Sequence, residues 1–162
     1  MCGIASIIGA SADLTAIFKM TEVQAHRGPD DHGHVFIGAS AADFIRDQSE
    51  GVPAHSHFAA LGHLRLSILD CSSDARQPMH LIDGKDWISY NGEVYNYVEL
   101  RAELEAQGYR FRTTGDTEVL LTAYRHWGTE CFNRFNGMWA MIIWDDARQQ
   151  FIVSRDRFGI KP

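Results

Sequence analysis

The residues that first suggest chemistry lie at the N-terminus, which reads MCGIASIIG. A thiol is a useful nucleophile only as the thiolate, and a free cysteine with a pKa of about 8.5 is a few per cent ionised at pH 7. An N-terminal α-amino group, with a pKa of about 7.7–8.0, can accept that proton. Once Met1 is removed, Cys2 would therefore supply both nucleophile and base. A buried cysteine in a first strand is the alternative, and the position alone does not decide between them.

Composition excludes several classes of function. The 162 residues suit one domain, and 15 Lys and Arg against 21 Asp and Glu leave a net charge of −6, which argues against a nucleic-acid partner. No apolar stretch approaches the roughly 18–20 residues that cross a bilayer. The three cysteines suggest no disulfide framework and indicate a cytoplasmic protein. Eight histidines, including HGH at 32–34 and HSH at 55–57, lack accompanying ligands at a zinc spacing, so we expect no metal.

The hydrophobic pattern predicts an α+β fold whose strands bracket two central helices. Asn-Gly at 91–92 predicts a turn that ends the strand beginning at residue 87. Gly62 predicts a kink within the strand 58–70. Three tryptophans are expected in the core: Trp87, Trp139 and Trp144. Predicted strands are 3–9, HVFIG, 58–70, 87 onwards, YRFRTTG and the hairpin MWAMIIWDD/FIVSRDRFG. Three helices are predicted: one that contains Leu14 to Met20, one at 98–108 and one at 116–128. Residues 46–57 are expected to form a loop.

Eight stretches together resemble one family, and they occur in that family's order: CGIASIIG, HRGPDDHG, LGHLRLSILD, QPM, YNGEVYNYVELR, TGDTEVLL, RFNGMWAMIIWD and RDRFGIKP. The family is the glutaminase domain of glutamine-dependent asparagine synthetases, a class II glutamine amidotransferase. The resemblance covers residues 2–162, so we interpret 1–162 as this domain. It implies a four-layer α/β/β/α sandwich of the N-terminal-nucleophile hydrolase type, here truncated at its C-terminus.

The resemblance also implies hydrolysis of the glutamine side-chain amide through a γ-glutamyl thioester on Cys2. Arg65 matches the residue that holds the substrate α-carboxylate, and a guanidinium fork suits that group. Asp116 matches the acceptor of the α-ammonium, and Glu93 matches a substrate contact. The oxyanion hole corresponds to the Asn91 side-chain amide and the Gly92 backbone N–H.

Each of these residues also has a structural interpretation. Without the resemblance, Arg65 would be a surface residue, Asn91–Gly92 a hairpin turn and Asp116 a helix N-cap. The HRGPDDHG stretch is expected to be a structural loop near the pocket.

Other side chains are expected to support the structure only. In the HRGPDDHG loop, His26, Arg27 and Asp30 are expected to hydrogen-bond neighbouring backbone. Cys71 and Cys131 are expected to be inert.

The implied partners are glutamine and a synthetase domain in the same polypeptide. That domain, absent from these 162 residues, would use ATP and Mg to amidate aspartate to asparagine with the released ammonia, whereas the glutaminase domain needs no cofactor. One alternative is a related amidotransferase that acts on another carboxylate. A second is a non-catalytic docking module, which the presence of Cys2, Arg65, Asn91 and Asp116 disfavours. We also expect a tendency to self-associate, as a homodimer, through an unpaired sheet edge.

Overall fold

The structure of the protein, a computed structural model, divides into two units, each built on an antiparallel sheet. The structure describes residues 1–52, 56–82 and 85–162. The first unit comprises Met1–Ser67 and Arg76–Pro78, and the second comprises Ile68–Ala75 and Met79–Pro162. Each unit combines one sheet with helices, so the predicted α+β class is confirmed.

The first unit is a sheet with the strand order β1–β4–β2–β3. Its strands and helix are β1 (Gly3–Ile8), α1 (Ala16–Glu22), β2 (Asp31–Gly38), β3 (Ala42–Ile45) and β4 (His57–Arg65). Short 3₁₀ turns occur at Ala25–Arg27 and Gln48–Glu50. Strand β3 was not predicted, because its ADFI sequence is too short to show a clear period. The predicted 46–57 loop includes residues 53–55, which lie outside the described residues, and it ends where β4 begins at His57.

Helix α1 packs on one face of this sheet. Ala5, Phe36 and Ala60 come from three strands and form a buried cluster with Ile17 of the helix. Because side chains alternate along a strand, odd-numbered residues of β4 project from the face opposite the helix. Arg65, at the end of β4, therefore lies on the face away from α1.

Gly62 does not kink β4. It pairs in regular register with Ala5 of β1 and with His34 of β2. A Cβ atom at this position would lie 2.6 Å from Cγ2 of Thr21, so glycine is required for the close approach of α1. The predicted kink is wrong, since the signal came from helix packing rather than from the path of the strand.

The second unit is a sheet with the order β5–β6–β7–β8. Its elements are β5 (Met79–His80), β6 (Trp87–Val94), α2 (Tyr97–Ala106), α3 (Thr117–Trp127), β7 (Gly137–Asp145) and β8 (Gln150–Arg155). Further 3₁₀ turns span Ser73–Ala75 and Gly128–Asn133. The predicted helices 98–108 and 116–128 and the β7–β8 hairpin are confirmed.

The core of the second unit lies between its sheet and helices α2 and α3. Fully buried leucines of the helices, Leu104 and Leu120 among them, pack against alternate residues of β6 and β7 such as Ile88 and Ile143. The predicted core tryptophans are confirmed, because all three are almost inaccessible to solvent: Trp87, Trp139 and Trp144.

Two predictions about the second unit are wrong. Asn91 and Gly92 form no turn, since β6 continues to Val94 and the pair lies opposite Ala140 and Trp139 of β7. A Cβ atom at Gly92 would lie 2.3 Å from the carbonyl oxygen of Met138, so glycine serves close strand packing.

The YRFRTTG segment, residues 109–115, is not a strand. The backbone N–H groups of Arg112 and Thr113 donate instead to the carboxylate of Glu118. A local carboxylate thus replaces the neighbouring strand that the alternating pattern predicted.

Replacing Gly62 with Ala should destabilise the protein by about 1–3 kcal/mol, because the new methyl group must displace Thr21 and helix α1. The measurement is the midpoint of urea unfolding. Gly115→Ala is the matched control, since a Cβ atom there would lie 3.6 Å from its nearest neighbour, in ordinary contact. Equal midpoints for the two variants would contradict this account of Gly62.

Candidate active site

The thiol of Cys2 lies at the C-terminal end of β4. Its Sγ accepts a hydrogen bond from the backbone N–H of Leu66 at 3.3 Å and lies 3.7 Å from the Leu66 carbonyl oxygen. The carbonyl oxygen of Cys2 accepts a hydrogen bond from Nε of Arg27 at 3.1 Å. Cys2 is only half-buried and precedes β1, so it is not a core residue of that strand.

Arg65 lies directly beside Cys2 in the first unit. The β1–β4 register pairs Gly3 with Leu64, and one further step along both strands sets Cys2 opposite Arg65. Side chains of directly opposite residues project from the same face. Arg65 is buried, with 6% of its surface exposed. The structure therefore brings these two predicted site residues together.

The HRGPDD segment fixes the backbone around Arg65. A Cβ atom at Gly28 would lie 2.3 Å from the carbonyl carbon of Leu64, so only glycine allows this contact. The backbone N–H of Asp30 donates to the Arg65 carbonyl at 3.0 Å, and its carboxylate accepts from the N–H of Ser67 at 2.7 Å. The predicted backbone hydrogen bonding by Arg27 and Asp30 is thus confirmed.

Next to this loop, Asp31 links two cations. Its carboxylate accepts hydrogen bonds from Arg46 at 3.1 Å and from Arg76 at 2.9 Å. Burial alone would raise the pKa of Asp31, but the hydrogen bond from Arg76 and the charges of both arginines hold it below its ordinary value. The start of β2 is therefore anchored by a carboxylate that stays ionised at neutral pH.

In the second unit, three predicted site residues are consecutive in β6. Tyr90 and Val94 point into the core with the helices, so Asn91 and Glu93 project from the opposite face of the sheet. Asn91 is 3% exposed and Glu93 is partly exposed. Gly92 lies between them.

The carboxylate of Asp116 is held by β6. Its Oδ2 accepts hydrogen bonds from the Tyr90 hydroxyl at 2.7 Å and from the Val94 N–H at 3.1 Å. Asp116 precedes α3 but makes no capping hydrogen bond with its side chain. Asp116 thus occupies the N-cap position of α3, but its carboxylate is bound by β6 rather than by a capping hydrogen bond.

Burial shapes the electrostatics of this carboxylate. Desolvation raises the pKa of Asp116, and the hydrogen bonds from Tyr90 and Val94 offset part of that rise. The pKa of Glu93 is also raised, first by burial and then by the negative charge of Asp116, against the opposing attraction of Lys161. Two carboxylates thus lie close enough to interact, and a bound cation would favour the ionised form of both.

Sequence reasoning missed the segment that follows β8. The Asp156 carboxylate accepts hydrogen bonds from four backbone N–H groups: Trp139 at 3.2 Å, Phe158 at 3.1 Å, Ile160 at 2.9 Å and Lys161 at 3.0 Å. These bonds lower the pKa of Asp156 to about 2 despite an opposing desolvation effect. They fasten the segment to β7 and hold Lys161, which is buried, in the field of Glu93. RDRFGIKP is among the stretches that resemble the family, but no role was predicted for Asp156 or Lys161.

His34 and His57, which belong to the HGH and HSH stretches, make hydrogen bonds within the first unit. Nε2 of His34 lies 2.9 Å from the Thr21 hydroxyl, and Nε2 of His57 lies 2.8 Å from the Asp43 carboxylate. His55 lies outside the described residues. Cys131 is buried and desolvation raises its pKa to about 12, which agrees with the predicted inertness.

The described residues contain neither a group of side chains suited to a metal ion nor a helix suited to a membrane. Within 1–52, 56–82 and 85–162, no three His, Cys, Asp or Glu side chains are grouped so that they could hold a metal ion. Over the same ranges, no helix has the length and apolar character needed to cross a bilayer.

The predicted site residues are divided between the two units. Cys2 and Arg65 belong to the first unit. The other four belong to the second: Asn91, Gly92, Glu93 and Asp116.

Comparisons with known proteins agree on one family. A family model described as a glutamine amidotransferase domain matches residues 46–162. Asparagine synthetase [glutamine-hydrolyzing] 1 of Bacillus subtilis is 38% identical over 100% of this chain and 23% of its own length. Amidase chry2 of Gibberella zeae is 33% identical over 99% of this chain and 23% of its own length. The chain spans about a quarter of the length of the curated relatives it matches.

A solved structure supports the predicted fold. The glutamine phosphoribosylpyrophosphate amidotransferase of Bacillus subtilis, complexed with ADP and GMP, matches 98% of this chain and 38% of its own, with a TM-score of 0.83 and 22% identity. At that identity the similarity concerns the fold alone. It confirms the predicted α+β fold.

Replacing Asp156 with Asn should lower stability at pH 7 and flatten its decline in acid. The folded-state pKa of about 2 lies below the value of about 3.9 in an unfolded chain. The ionised carboxylate therefore contributes stability above about pH 4, and this contribution is lost as the pH falls towards 2. Urea unfolding between pH 2 and pH 7 measures the effect.

Asp74→Asn, at an exposed position, is the control for this substitution. If the profiles of Asp156→Asn and the unmodified protein run parallel between pH 4 and pH 2, the hydrogen bonds of Asp156 do not hold the segment as described.

Proposed function

The chain belongs to the glutamine amidotransferase domain family, and from that premise we propose that it hydrolyses the side-chain amide of glutamine through a γ-glutamyl thioester on Cys2. The observation that carries the proposal is the position of the Cys2 thiol, half-buried at the end of β4 and opposite Arg65. A reactive thiol must be partly accessible and close to groups that bind the substrate.

The proposed reaction begins at the N-terminus. After removal of Met1, the neutral α-amino group of Cys2 accepts the thiol proton, and the thiolate attacks the amide carbon of glutamine. The tetrahedral intermediate collapses, the C–N bond breaks, and the α-ammonium returns the proton to the departing ammonia. Water then attacks the thioester, which gives glutamate and regenerates the thiol. Overall, glutamine and water yield glutamate and ammonia.

Two charged groups are proposed to select an amino acid as substrate. Arg65 binds the α-carboxylate, and the buried carboxylate of Asp116 accepts the α-ammonium, with Glu93 as a second contact. Burial supports these roles, since a charge on the substrate interacts more strongly with the buried side chains of Arg65 and Asp116 than with exposed ones.

Asn91 and Gly92 are proposed to stabilise the tetrahedral intermediate. The Asn91 side-chain amide and the Gly92 N–H are neutral donors that can meet the negative charge on the former carbonyl oxygen. The orientation of Asn91 supports this role, because its side chain projects away from the hydrophobic core of the second unit.

The ammonia is proposed to serve ATP-dependent amidation of aspartate to asparagine. The reaction would occur in a synthetase domain of the same polypeptide, where ATP and Mg would bind, and residues 1–162 would form the glutaminase domain. The names of relatives four times longer than this chain support the assignment. A second candidate is amidation of another carboxylate, which the match to Amidase chry2 favours.

We also propose a cytoplasmic location and association of two copies into a homodimer. The three cysteines are free thiols, as expected for a reducing cytoplasm. Strand β8 is an edge strand on which Val153 is 75% exposed, which supports association of two copies into a homodimer through that edge.

Replacing Cys2 with Ala should abolish ammonia release from glutamine, because the nucleophile is lost. Cys71→Ala is the matched control, since that thiol is exposed, and it should retain the original rate. Protein that keeps Met1 should also be inactive, because an amide nitrogen cannot accept the thiol proton. Turnover by Cys2→Ala at the original rate would refute the thioester mechanism. Inactivity of the Met1-free protein would favour the docking-module alternative.

Replacing Asn91 with Ala should lower kcat roughly 10²–10³-fold and change KM little, because the lost donor acts mainly in the transition state. Asn133→Ala, at an exposed position, should leave both constants unchanged. Steady-state glutaminase kinetics provides the measurement. An effect confined to KM would remove Asn91 from the oxyanion hole and make it a binding residue.

A further inference from the structure

Two buried tyrosines of the second unit make closely similar hydrogen bonds to aspartates. Tyr90 donates to Oδ2 of Asp116 at 2.7 Å, and Tyr124 donates to Oδ2 of Asp145 at 2.7 Å. Both tyrosines belong to the same hydrophobic core and are 2% and 3% exposed. Only the first bond reaches a carboxylate to which the proposed function assigns a substrate contact.

We propose that Tyr90 is a positioning residue that orients the Asp116 carboxylate towards the α-ammonium of glutamine and thereby sets selectivity for an amino acid over its deaminated analogue. The proposal rests on the function proposed above. It adds a residue that holds the substrate-binding group without itself contacting the substrate.

The geometry of the bonds supports this role. Tyr90 and Val94 both donate to Oδ2 of Asp116, so neither bond occupies Oδ1. Tyr90 pairs with Met141 of β7, and Val94 pairs with Gly137. The two donors are therefore fixed by the sheet, and together they define the orientation of the carboxylate plane.

The position of Asp116 explains why its carboxylate needs the hydrogen bonds from Tyr90 and Val94. An aspartate immediately before a helix normally accepts hydrogen bonds from the first N–H groups of that helix. Asp116 stands immediately before α3, and the backbone of Thr117 lowers the pKa of its carboxyl, but its side chain makes no hydrogen bond of capping geometry. The hydrogen bonds from Tyr90 and Val94 therefore compete with the start of α3 for the carboxylate. Without the hydroxyl, we expect the carboxylate to turn towards the helix.

Several charged groups surround this carboxylate. Glu93 of β6 repels it, and Lys161 attracts Glu93 in turn. Arg101 of α2 donates to the carbonyl of Gly115 at 3.0 Å, and Glu118 of α3 binds the backbone two residues further back, at Thr113. We expect these groups to remain in place when only the Tyr90 hydroxyl is removed.

The hydroxyl also affects the titration of Asp116. Burial raises the pKa of Asp116, and the hydrogen bond from Tyr90 lowers it. Loss of the hydroxyl should therefore raise the pKa further, so that the carboxylate becomes neutral at a higher pH. Since only the ionised form attracts an ammonium group, the acid limb of kcat/KM for glutamine should move to higher pH.

The test compares Tyr90→Phe with Tyr124→Phe in the 162-residue chain from which Met1 has been removed. Each variant loses one buried hydroxyl and keeps its aromatic ring. We expect Tyr90→Phe to raise KM for glutamine about tenfold, the equivalent of one charged hydrogen bond, with kcat nearly unchanged and the acid limb displaced upwards. Tyr124→Phe should change neither constant.

A second substrate separates orientation from stability. Glutaric acid monoamide carries the carboxylate and the amide of glutamine but no α-amino group. Tyr90→Phe should leave KM for the monoamide unchanged, so that the preference for glutamine falls about tenfold with its KM.

The outcomes distinguish this inference from the function on which it rests. If Asp116→Asn raises KM for glutamine while Tyr90→Phe behaves like Tyr124→Phe, the role of Tyr90 is refuted and the proposed function stands. If Asp116→Asn leaves KM unchanged, the assigned role of Asp116 fails and the inference fails with it. If Tyr90→Phe unfolds while Tyr124→Phe folds, the hydroxyl serves stability, and the inference is overturned.

Discussion

The pairing of β1 with β4 is the constraint on which the proposed chemistry depends. Its register sets Cys2 opposite Arg65, and the N–H of Leu66 binds the sulfur directly. A shift of one residue would move every side chain of β1 to the other face of the sheet. The glycine at position 28 and the carboxylate of Asp30 hold the neighbouring loop against the same strand end. The position of Cys2 is thus determined by its place beside the β1–β4 sheet pair.

In the second unit, burial and hydrogen bonds from β6 determine the charge and orientation of the Asp116 carboxylate. Asp116 is buried, with 6% of its surface exposed, and this burial raises the pKa of its carboxyl and makes its ionised form costly. The hydroxyl of Tyr90 and the N–H of Val94 meet part of that cost and fix the orientation of the carboxylate. A substrate ammonium would supply the missing positive charge. The same burial that opposes ionisation therefore favours a cationic ligand.

Much of this arrangement could be predicted from the sequence. Apolar periodicity located both long helices and the terminal hairpin, and family motifs singled out Cys2 and Asp116. Predictions based on glycine were less successful. Gly62 and Gly92 were interpreted as a kink and a turn, whereas both allow close packing with a neighbouring element. Such contacts join residues distant in sequence, which local patterns do not reveal. The hydrogen bond from Tyr90 was missed for the same reason.

The central claim is that Cys2 forms a covalent intermediate with glutamine. The most direct measurement is intact-mass analysis of Met1-free protein mixed with glutamine and quenched in acid within one turnover, followed by peptide mapping. We predict a transient mass increase equal to one γ-glutamyl group, located on Cys2 and lost as glutamate appears. Glutamine hydrolysis at full rate with no such adduct, or with the adduct on another residue, would contradict the account.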